Sequence, residues 1–183
     1  MNYNKKRRKW GWLVVILLIF GSYSGKVWGG SGDLGSLQDI TIIDLNGNTF
    51  KFSDHRGKVI VLNFWAIWCP PCQIETPHLI SLYDRYRKEG LMVLGVAIAS
   101  GGDEKIKNKV REWKIPYPVI NGDNFPSIQQ NFREIRAVPT SYIIDSQGRF
   151  YKHYIGFSKD TMTELEKDIQ TLLSQNKKGK CEQ

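Results

Sequence analysis

The stretch that decides the fold is Val59-Ile60-Val61-Leu62-Asn63-Phe64-Trp65-Ala66-Ile67-Trp68-Cys69-Pro70-Pro71-Cys72. It opens with a nearly continuous apolar run of strand length, Val59–Ala66, which indicates a buried central strand. A helical pattern begins directly after Cys72. The two cysteines therefore lie at a junction between a strand and a helix.

Two cysteines separated by two residues at such a junction predict a redox-active disulfide. Cys69 would lie at the helix N-terminus, where unpaired backbone N–H groups stabilise a thiolate. Cys72 follows within one turn, near enough to attack a mixed disulfide and release the product. The sequence thus predicts thiol–disulfide exchange, and it contains no cofactor motif.

The cysteine pair has two alternative uses. A zinc site needs two more ligands, but the remaining candidates, Cys181, His55, His78 and His153, are scattered along the chain. No metal site is therefore predicted. A permanent structural disulfide is the second alternative, and it is disfavoured because helix-terminal pairs with a low-pKa thiol are labile.

The positive charge of the chain is concentrated at its ends. The formal net charge is +8 over 183 residues, yet residues 27–176 carry 17 basic and 17 acidic side chains. A neutral body argues against nucleic-acid binding, which requires a basic face.

The first 30 residues are typical of an export signal. Residues 1–9 are predicted to be a basic cytoplasmic tail, and residues 10–28 a signal-anchor that places the domain on the extracytoplasmic, periplasmic side of the cell membrane. A cleaved signal peptide is the alternative, with Ser22-Tyr23-Ser24 as the cleavage site and a soluble periplasmic product. That side of the membrane is oxidising, which favours disulfide chemistry.

The rest of the chain divides into a linker (29–36), one domain (37–174) and a flexible tail (175–183). Strands alternate with helices and a hairpin closes the domain, which predicts an α/β fold with a mixed sheet. The predicted elements are a hairpin over Ile40–Leu45 and Thr49–Phe52, a helix from the cysteines to Gly90, a strand at Leu91–Ala99, a helix capped by Asp103, a strand at Tyr117–Ile120, a helix over Ile128–Arg136, a hairpin over Thr140–Asp145 and Arg149–Ile155, and a last helix opened by Ser158.

The stretch Phe64–Cys72, with Pro77 five residues after the second cysteine, resembles the thioredoxin superfamily. The resemblance covers about residues 37–174. The N-terminal hairpin, the insert with Tyr117-Pro118-Val119 and the segment Val138–Gly148 resemble the membrane-anchored branch typified by the TlpA and ResA proteins. It implies a thioredoxin-like fold, with a mixed central sheet flanked by helices, an N-terminal β-hairpin and a central insert.

The resemblance also implies roles for matching residues. Cys69 would be the attacking thiol and Cys72 the resolving thiol. Pro139 would be a cis-proline facing the cysteines, although an ordinary trans proline at a strand start is the alternative. Substrate contacts are implied for three residues, which are Trp68, Val138 and Pro70.

One position departs from the thioredoxin pattern. Thioredoxins place a buried acid where this chain has Asn63, and an amide cannot shuttle a proton. Glu75 follows Cys72 by three residues on the same helix, and the resemblance implies that this acid tunes the thiols. A solvated first-turn glutamate, favoured by the helix dipole, is the alternative.

The resemblance implies a monomeric enzyme that reduces disulfides in exported proteins, foremost the haem-binding cysteines of apocytochrome c. Electrons would come from a membrane thiol carrier. A general disulfide oxidase or isomerase is the first alternative. A peroxiredoxin would need a Thr/Ser-rich loop before a single peroxidatic cysteine, which the sequence lacks, and a metallochaperone is a third class.

Overall fold

Seven strands and four α-helices make up the computed structural model, which describes residues 40–132 and 135–181. The strands are β1 (Thr41–Ile43), β2 (Thr49–Lys51), β3 (Val59–Trp65), β4 (Leu91–Ala97), β5 (Val119–Asn121), β6 (Thr140–Ile144) and β7 (Phe150–Ile155). The helices are α1 (Pro70–Tyr86), α2 (Asp103–Glu112), α3 (Pro126–Asn131) and α4 (Lys159–Cys181).

The predicted tail, anchor and linker, residues 1–36, lie outside the described residues. None of the helices in the described part of the chain is long and apolar enough to cross a membrane.

The central sheet has the strand order β5-β4-β3-β6-β7. Strands β3, β4 and β5 run parallel, while β6 and β7 are antiparallel to their neighbours. Every residue of β3 is buried, because this strand is covered on both edges by partner strands and on both faces by packed side chains. The predicted mixed sheet with a central Val59–Ala66 strand is confirmed.

The core lies on both faces of the sheet, as the period of two along a strand requires. On one face Val61 and Trp65 pack with Leu79 of α1 and Leu165 of α4. On the opposite face, three side chains of β3 pack against the hairpin and α3. The β3 residues are Ile60, Leu62 and Phe64, and their partners include Ile42 and Phe50 of the hairpin and Ile128 of α3. The site is therefore built on a strand that packing holds from both sides.

The N-terminal hairpin forms as predicted, with β1 antiparallel to β2. The carboxylate of Asp44 accepts hydrogen bonds from the backbone N–H groups of Asn46 (2.9 Å) and Asn48 (2.8 Å). Gly47 has φ of 86°, a value that glycine adopts without strain. A backbone hydrogen bond from Leu45 to Val119 (2.9 Å) attaches the hairpin to β5.

Three helix boundaries differ from the prediction. Asp103 is the first residue of α2 and not its cap, which is Gly102, because the Asp103 carboxylate accepts from the Asn121 amide instead (2.8 Å). Helix α3 begins at Pro126 and ends at Asn131, earlier than the predicted Ile128–Arg136. Proline suits a first helical position, and the non-helical Phe132 packs its ring against Phe64 and Tyr142.

The last helix agrees with the prediction at its start and extends beyond it at its end. Ser158 caps α4, since its hydroxyl accepts from the backbone N–H of Thr161 (3.0 Å). The helix continues to Cys181 through the segment predicted as a tail. Lys177 of this extension lies 2.8 Å from Glu89, an ion pair that ties the segment to the domain.

Candidate active site

The cysteine pair lies where β3 passes into α1. Cys69 is the N-cap residue of α1, and its backbone N–H donates to the carbonyl of Ala66 (3.2 Å). Cys69 and Cys72 form a disulfide with an S–S distance of 2.06 Å. Both residues are nearly enclosed, with exposed fractions of 3% for Cys69 and 1% for Cys72.

The two prolines determine which backbone N–H group can donate a hydrogen bond to Sγ of Cys69. Pro70 and Pro71 occupy the first two helical positions and have no N–H group to donate. Cys72 therefore supplies the first helical N–H, which points at Sγ of Cys69 from 3.2 Å. After reduction this N–H and the helix dipole would stabilise a Cys69 thiolate.

The opposite side of the disulfide is formed by the loop before β6. The Val138–Pro139 peptide bond is cis, as the resemblance implied. The carbonyl oxygen of Val138 lies 3.5 Å from Sγ of Cys69. The Pro139 carbonyl accepts from the N–H of Gly156 (2.7 Å), just past the end of β7.

Glu75 lies within the protein, and the solvated alternative is wrong. The residue is 2% exposed, and both carboxylate oxygens have partners on the central sheet. The Asn63 amide donates to Oε2 (2.9 Å), and the Ser141 hydroxyl donates to Oε1 (3.2 Å). The same Asn63 amide also lies 3.0 Å from Oγ of Ser141. The three side chains form a closed polar cluster between α1, β3 and β6.

Burial dominates the electrostatics of this cluster. Loss of solvation raises the pKa of Glu75 from 4.5 to about 7, and the hydrogen bonds from Asn63 and Ser141 oppose the rise. Burial also raises the pKa of Tyr117, with a further contribution from the charge of Glu75. A carboxyl group poised near neutral pH, one helical turn from Cys72, is suited to exchange a proton as the thiols change state.

Trp68 stands beside the disulfide with 62% of its surface exposed. Its indole N–H donates to the carbonyl of Ala99 (2.8 Å), in the loop that follows β4. The preceding residue is held by the same loop, because the N–H of Ile67 donates to the hydroxyl of Ser100 (3.1 Å). Trp65, by contrast, is buried in the core.

Two other residues named from the sequence, His78 and Cys181, lie elsewhere in the fold. His78 is exposed, with its ring 5.5 Å from that of Phe157, and Cys181 ends α4. In the part of the chain that the structure describes, no group of three or more His, Cys, Asp or Glu residues could hold a metal ion.

Sequence reasoning missed Ser141 and underrated Asn63. Both are polar residues in fully buried strands, and the register pairs Asn63 directly with Ser141. A buried polar side chain needs a hydrogen-bond partner. Two such residues in neighbouring strands were therefore a signal that a third polar group lies between them.

The arrangement can carry out dithiol–disulfide exchange. In the reducing direction, a Cys69 thiolate would attack a substrate disulfide, form a mixed disulfide and release one substrate thiolate. Cys72 would then lose its proton and attack Sγ of Cys69, which would release the second substrate thiolate. Two electrons would pass to the substrate, and the Cys69–Cys72 disulfide would form.

This fold and this site define a thioredoxin-like thiol–disulfide oxidoreductase. A family model described as AhpC/TSA matches residues 35–153, more than half of the chain. The chain belongs to the AhpC/TSA family and, within it, groups with the thiol-disulfide oxidoreductases named ResA.

The similarity to those relatives extends over most of each chain. The ResA protein of Bacillus thuringiensis subsp. konkukian is 30% identical over 134 residues, which cover 73% of this chain and 75% of the relative. A ResA protein of Bacillus cereus is 27% identical over 175 residues, or 92% of this chain and 98% of the relative.

A solved structure supports the fold independently. The crystal structure of a thioredoxin-family thiol:disulfide interchange protein from Chlorobium tepidum TLS matches with a TM-score of 0.66 and 24% identity. The match covers 73% of this chain and 92% of that chain. It shows the thioredoxin-like fold.

Proposed function

We propose that this oxidoreductase works in the reducing direction on the extracytoplasmic side of the membrane, with disulfides of exported proteins as its substrates. The observation that carries the proposal is the Cys69–Cys72 pair at a helix N-terminus with the buried Glu75 behind it. The export-type N-terminus and the similarity to ResA proteins over nearly the whole chain support it.

Apocytochrome c is the proposed substrate, because its haem-binding cysteines must be free thiols when haem is attached. In an oxidising compartment those thiols would otherwise remain paired. A membrane thiol carrier would return the electrons, since exchange between dithiols needs no further cofactor. Residues 10–28 would keep the enzyme at the membrane as an uncleaved anchor.

The proposed contacts with substrate lie around the sulfurs. Val138 and Pro139 would leave nearby backbone free to pair with an extended substrate strand. Trp68 and Pro70, both exposed, would form the opposite wall of the docking surface. Cys69 would attack and Cys72 would resolve, and Glu75 would take up or release the proton.

A deletion strain tests the direction and the substrate together. We expect it to lack c-type cytochromes and to regain them when dithiothreitol is added. Rescue by cystine would show that the protein donates disulfides, as an oxidase or isomerase would. Normal cytochromes in the deletion strain would rule out this substrate.

Carbonate extraction of membranes tests the anchor. A spanning segment is held by apolar contact and not by electrostatics, so the full-length protein should remain in the membrane fraction. A mature N-terminus near Gly25 would establish cleavage instead.

A further inference from the structure

The loop between β4 and α2 is hydrogen-bonded to the two residues that precede the cysteine pair. Two hydrogen bonds join this loop to the residues before Cys69: one from the Trp68 indole to the Ala99 carbonyl (2.8 Å) and one from the Ile67 N–H to the Ser100 hydroxyl (3.1 Å). Ser100 also donates to the carbonyl of Ile98 (2.9 Å) and is buried. The position of Trp68 therefore depends on the position of this loop.

The loop contains two residues with positive φ, and one of them is not a glycine. Ala99 has φ of 47° and Gly101 has φ of 79°. A left-handed conformation at alanine costs free energy, so contacts from elsewhere must hold it. Those contacts come from residues 121–123, which are the end of β5 and the two residues after it.

Asp123 and Asn121 supply them. The Asp123 carboxylate accepts from the N–H of Ala99 (3.1 Å), and the Asn121 amide donates to the carbonyl of Gly101 (3.1 Å). Asn121 is buried and its side-chain oxygen accepts from the N–H of Asp123 (3.2 Å). Ala99 and Gly101, the two residues with positive φ, are thus each bonded to one side chain of this segment.

From this geometry we infer that Asp123 and Ser100 are positioning residues for protein substrates. They hold the Ala99 carbonyl where it fixes the exposed Trp68 indole beside the Cys69–Cys72 disulfide. The ring then forms a wall for a docking polypeptide chain. A small disulfide that needs no docking surface makes little use of that wall.

The inference rests on the thiol–disulfide exchange activity and not on the identity of the physiological substrate. Its test compares two substrates of the full-length reduced protein, insulin as a protein disulfide and hydroxyethyl disulfide as a small one. Failure of the cytochrome experiment would leave this comparison intact. The two proposals are therefore separately testable.

Asp123→Ala should lower kcat/KM for insulin by about three- to tenfold more than kcat/KM for hydroxyethyl disulfide, which corresponds to the loss of one hydrogen bond. The change should lie mainly in KM. Asp123→Asn keeps an oxygen that can accept from Ala99 and should restore the insulin rate, while Asp84→Ala, an equal loss of charge at the far end of α1, should leave both rates unchanged. An equal loss with both substrates, or an equal loss in the Asn variant, would overturn the inference.

A double-mutant cycle tests whether the effect passes through the indole. Trp68→Phe keeps an aromatic ring and removes the N–H group, so Asp123→Ala should cause no further selective loss in the Trp68→Phe protein. A full additional loss would overturn the inference. Thermal unfolding of every variant monitors the fold. The same cycle can be repeated with Ser100→Ala in place of Asp123→Ala, and we expect the same result.

Discussion

The Asn63 amide donates a 2.9 Å hydrogen bond to Oε2 of Glu75, which connects the central strand β3 to helix α1 beneath the disulfide. The buried carboxyl group of Glu75 therefore belongs to the helix that carries Cys72, and the strand contributes its hydrogen-bond donor. Thioredoxins carry the buried acid on the strand, at the position of Asn63. Here the acid is on the helix instead, so it stays close to the thiols while Asn63 is uncharged. It also makes the behaviour of Glu75 dependent on residues of two other elements.

Replacing Glu75 with glutamine should alter the pH dependence of disulfide exchange. The pKa of Glu75 is raised to about 7 by burial, so its ionisation should give an inflection near that pH in the rate of Cys69 alkylation by iodoacetamide. Glutamine keeps the shape and cannot ionise, and the inflection due to Glu75 should disappear. Glu112→Gln, a change at an exposed residue, is the matched control, and an unchanged profile in Glu75→Gln would remove Glu75 from the reaction.

Ser141→Ala should move that inflection to higher pH. The Ser141 hydroxyl donates to the carboxylate and thereby lowers the pKa of Glu75. Without this donor, less opposes the effect of burial on the pKa of Glu75. The pKa should therefore increase, and the inflection should move up by about one pH unit. Ser146→Ala, in the turn between β6 and β7, should leave it in place. A downward movement in the Ser141 variant would contradict the assigned hydrogen bond.

The same shift predicts how stability depends on pH in the oxidised protein. The pKa of Glu75 rises on folding from 4.5 to about 7, so the folded state binds this proton more tightly than the unfolded state. As pH increases from 4.5 to 7, the unfolded chain ionises first and the folded state loses about 3 kcal/mol relative to it. Urea unfolding of the wild type and of Glu75→Gln across this range measures the difference, which should level off above pH 7. A constant difference would show that the pKa is not raised.

Much of this fold could be predicted because local patterns and long-range packing agree. The apolar run Val59–Ala66 has the length and the β-branched residues of a strand buried on both faces, and Ser158 gives its helix a capping hydroxyl. The boundaries of α2 and α3 were predicted less accurately than those of β3. Asp103 is a good cap by type, yet Asn121, distant in sequence, binds its carboxylate.

The site was predictable where chemistry follows from spacing and not where it follows from contacts between distant segments. The Cys-x-x-Cys spacing identifies the sulfurs. The offset of Glu75 on the helix places it near the pair, while its role was implied by the resemblance and not by the spacing. Ser141 and Asp123 act through hydrogen bonds to residues far away in the chain. No local pattern specifies which distant group such a polar residue contacts.

The two cysteines should differ in reactivity once the disulfide is reduced. Cys69 receives the helix N-terminal N–H of Cys72, whereas Cys72 lies inside the first turn, so the thiolate should form on Cys69 first. Iodoacetamide should label Cys69 well before Cys72, and Cys72→Ser should accumulate a mixed disulfide with protein substrates that wild type resolves. Cys181→Ser is the matched control and should accumulate none. Equal labelling of Cys69 and Cys72 between pH 5 and 9 would contradict the assignment of Cys69 as the attacking thiol.

Gly122→Ala should destabilise the protein by about 3 kcal/mol, the upper part of the range for overpacking a buried site. A Cβ atom there would lie 2.6 Å from Cγ1 of Val96 and 3.0 Å from the carbonyl oxygen of Ala97, which belongs to the rigid backbone of β4. Gly102→Ala is the matched control, because a Cβ at that helix cap meets nothing within 4 Å, and its cost should stay below about 1 kcal/mol. Urea unfolding of the oxidised proteins compares the two variants, and equal stability would contradict the close packing of this segment against β4.

The same substitution should also affect the reduction of protein substrates. Gly122 directly precedes Asp123, so any displacement that relieves the contact with β4 should lengthen the hydrogen bond from the Ala99 N–H to the Asp123 carboxylate. A Gly122→Ala protein that still folds should therefore lose insulin reduction while it keeps the reduction of hydroxyethyl disulfide. Gly102→Ala again serves as the control and should retain both activities. Undiminished insulin reduction in the folded Gly122→Ala protein would show that the close packing of Gly122 does not set the position of Asp123.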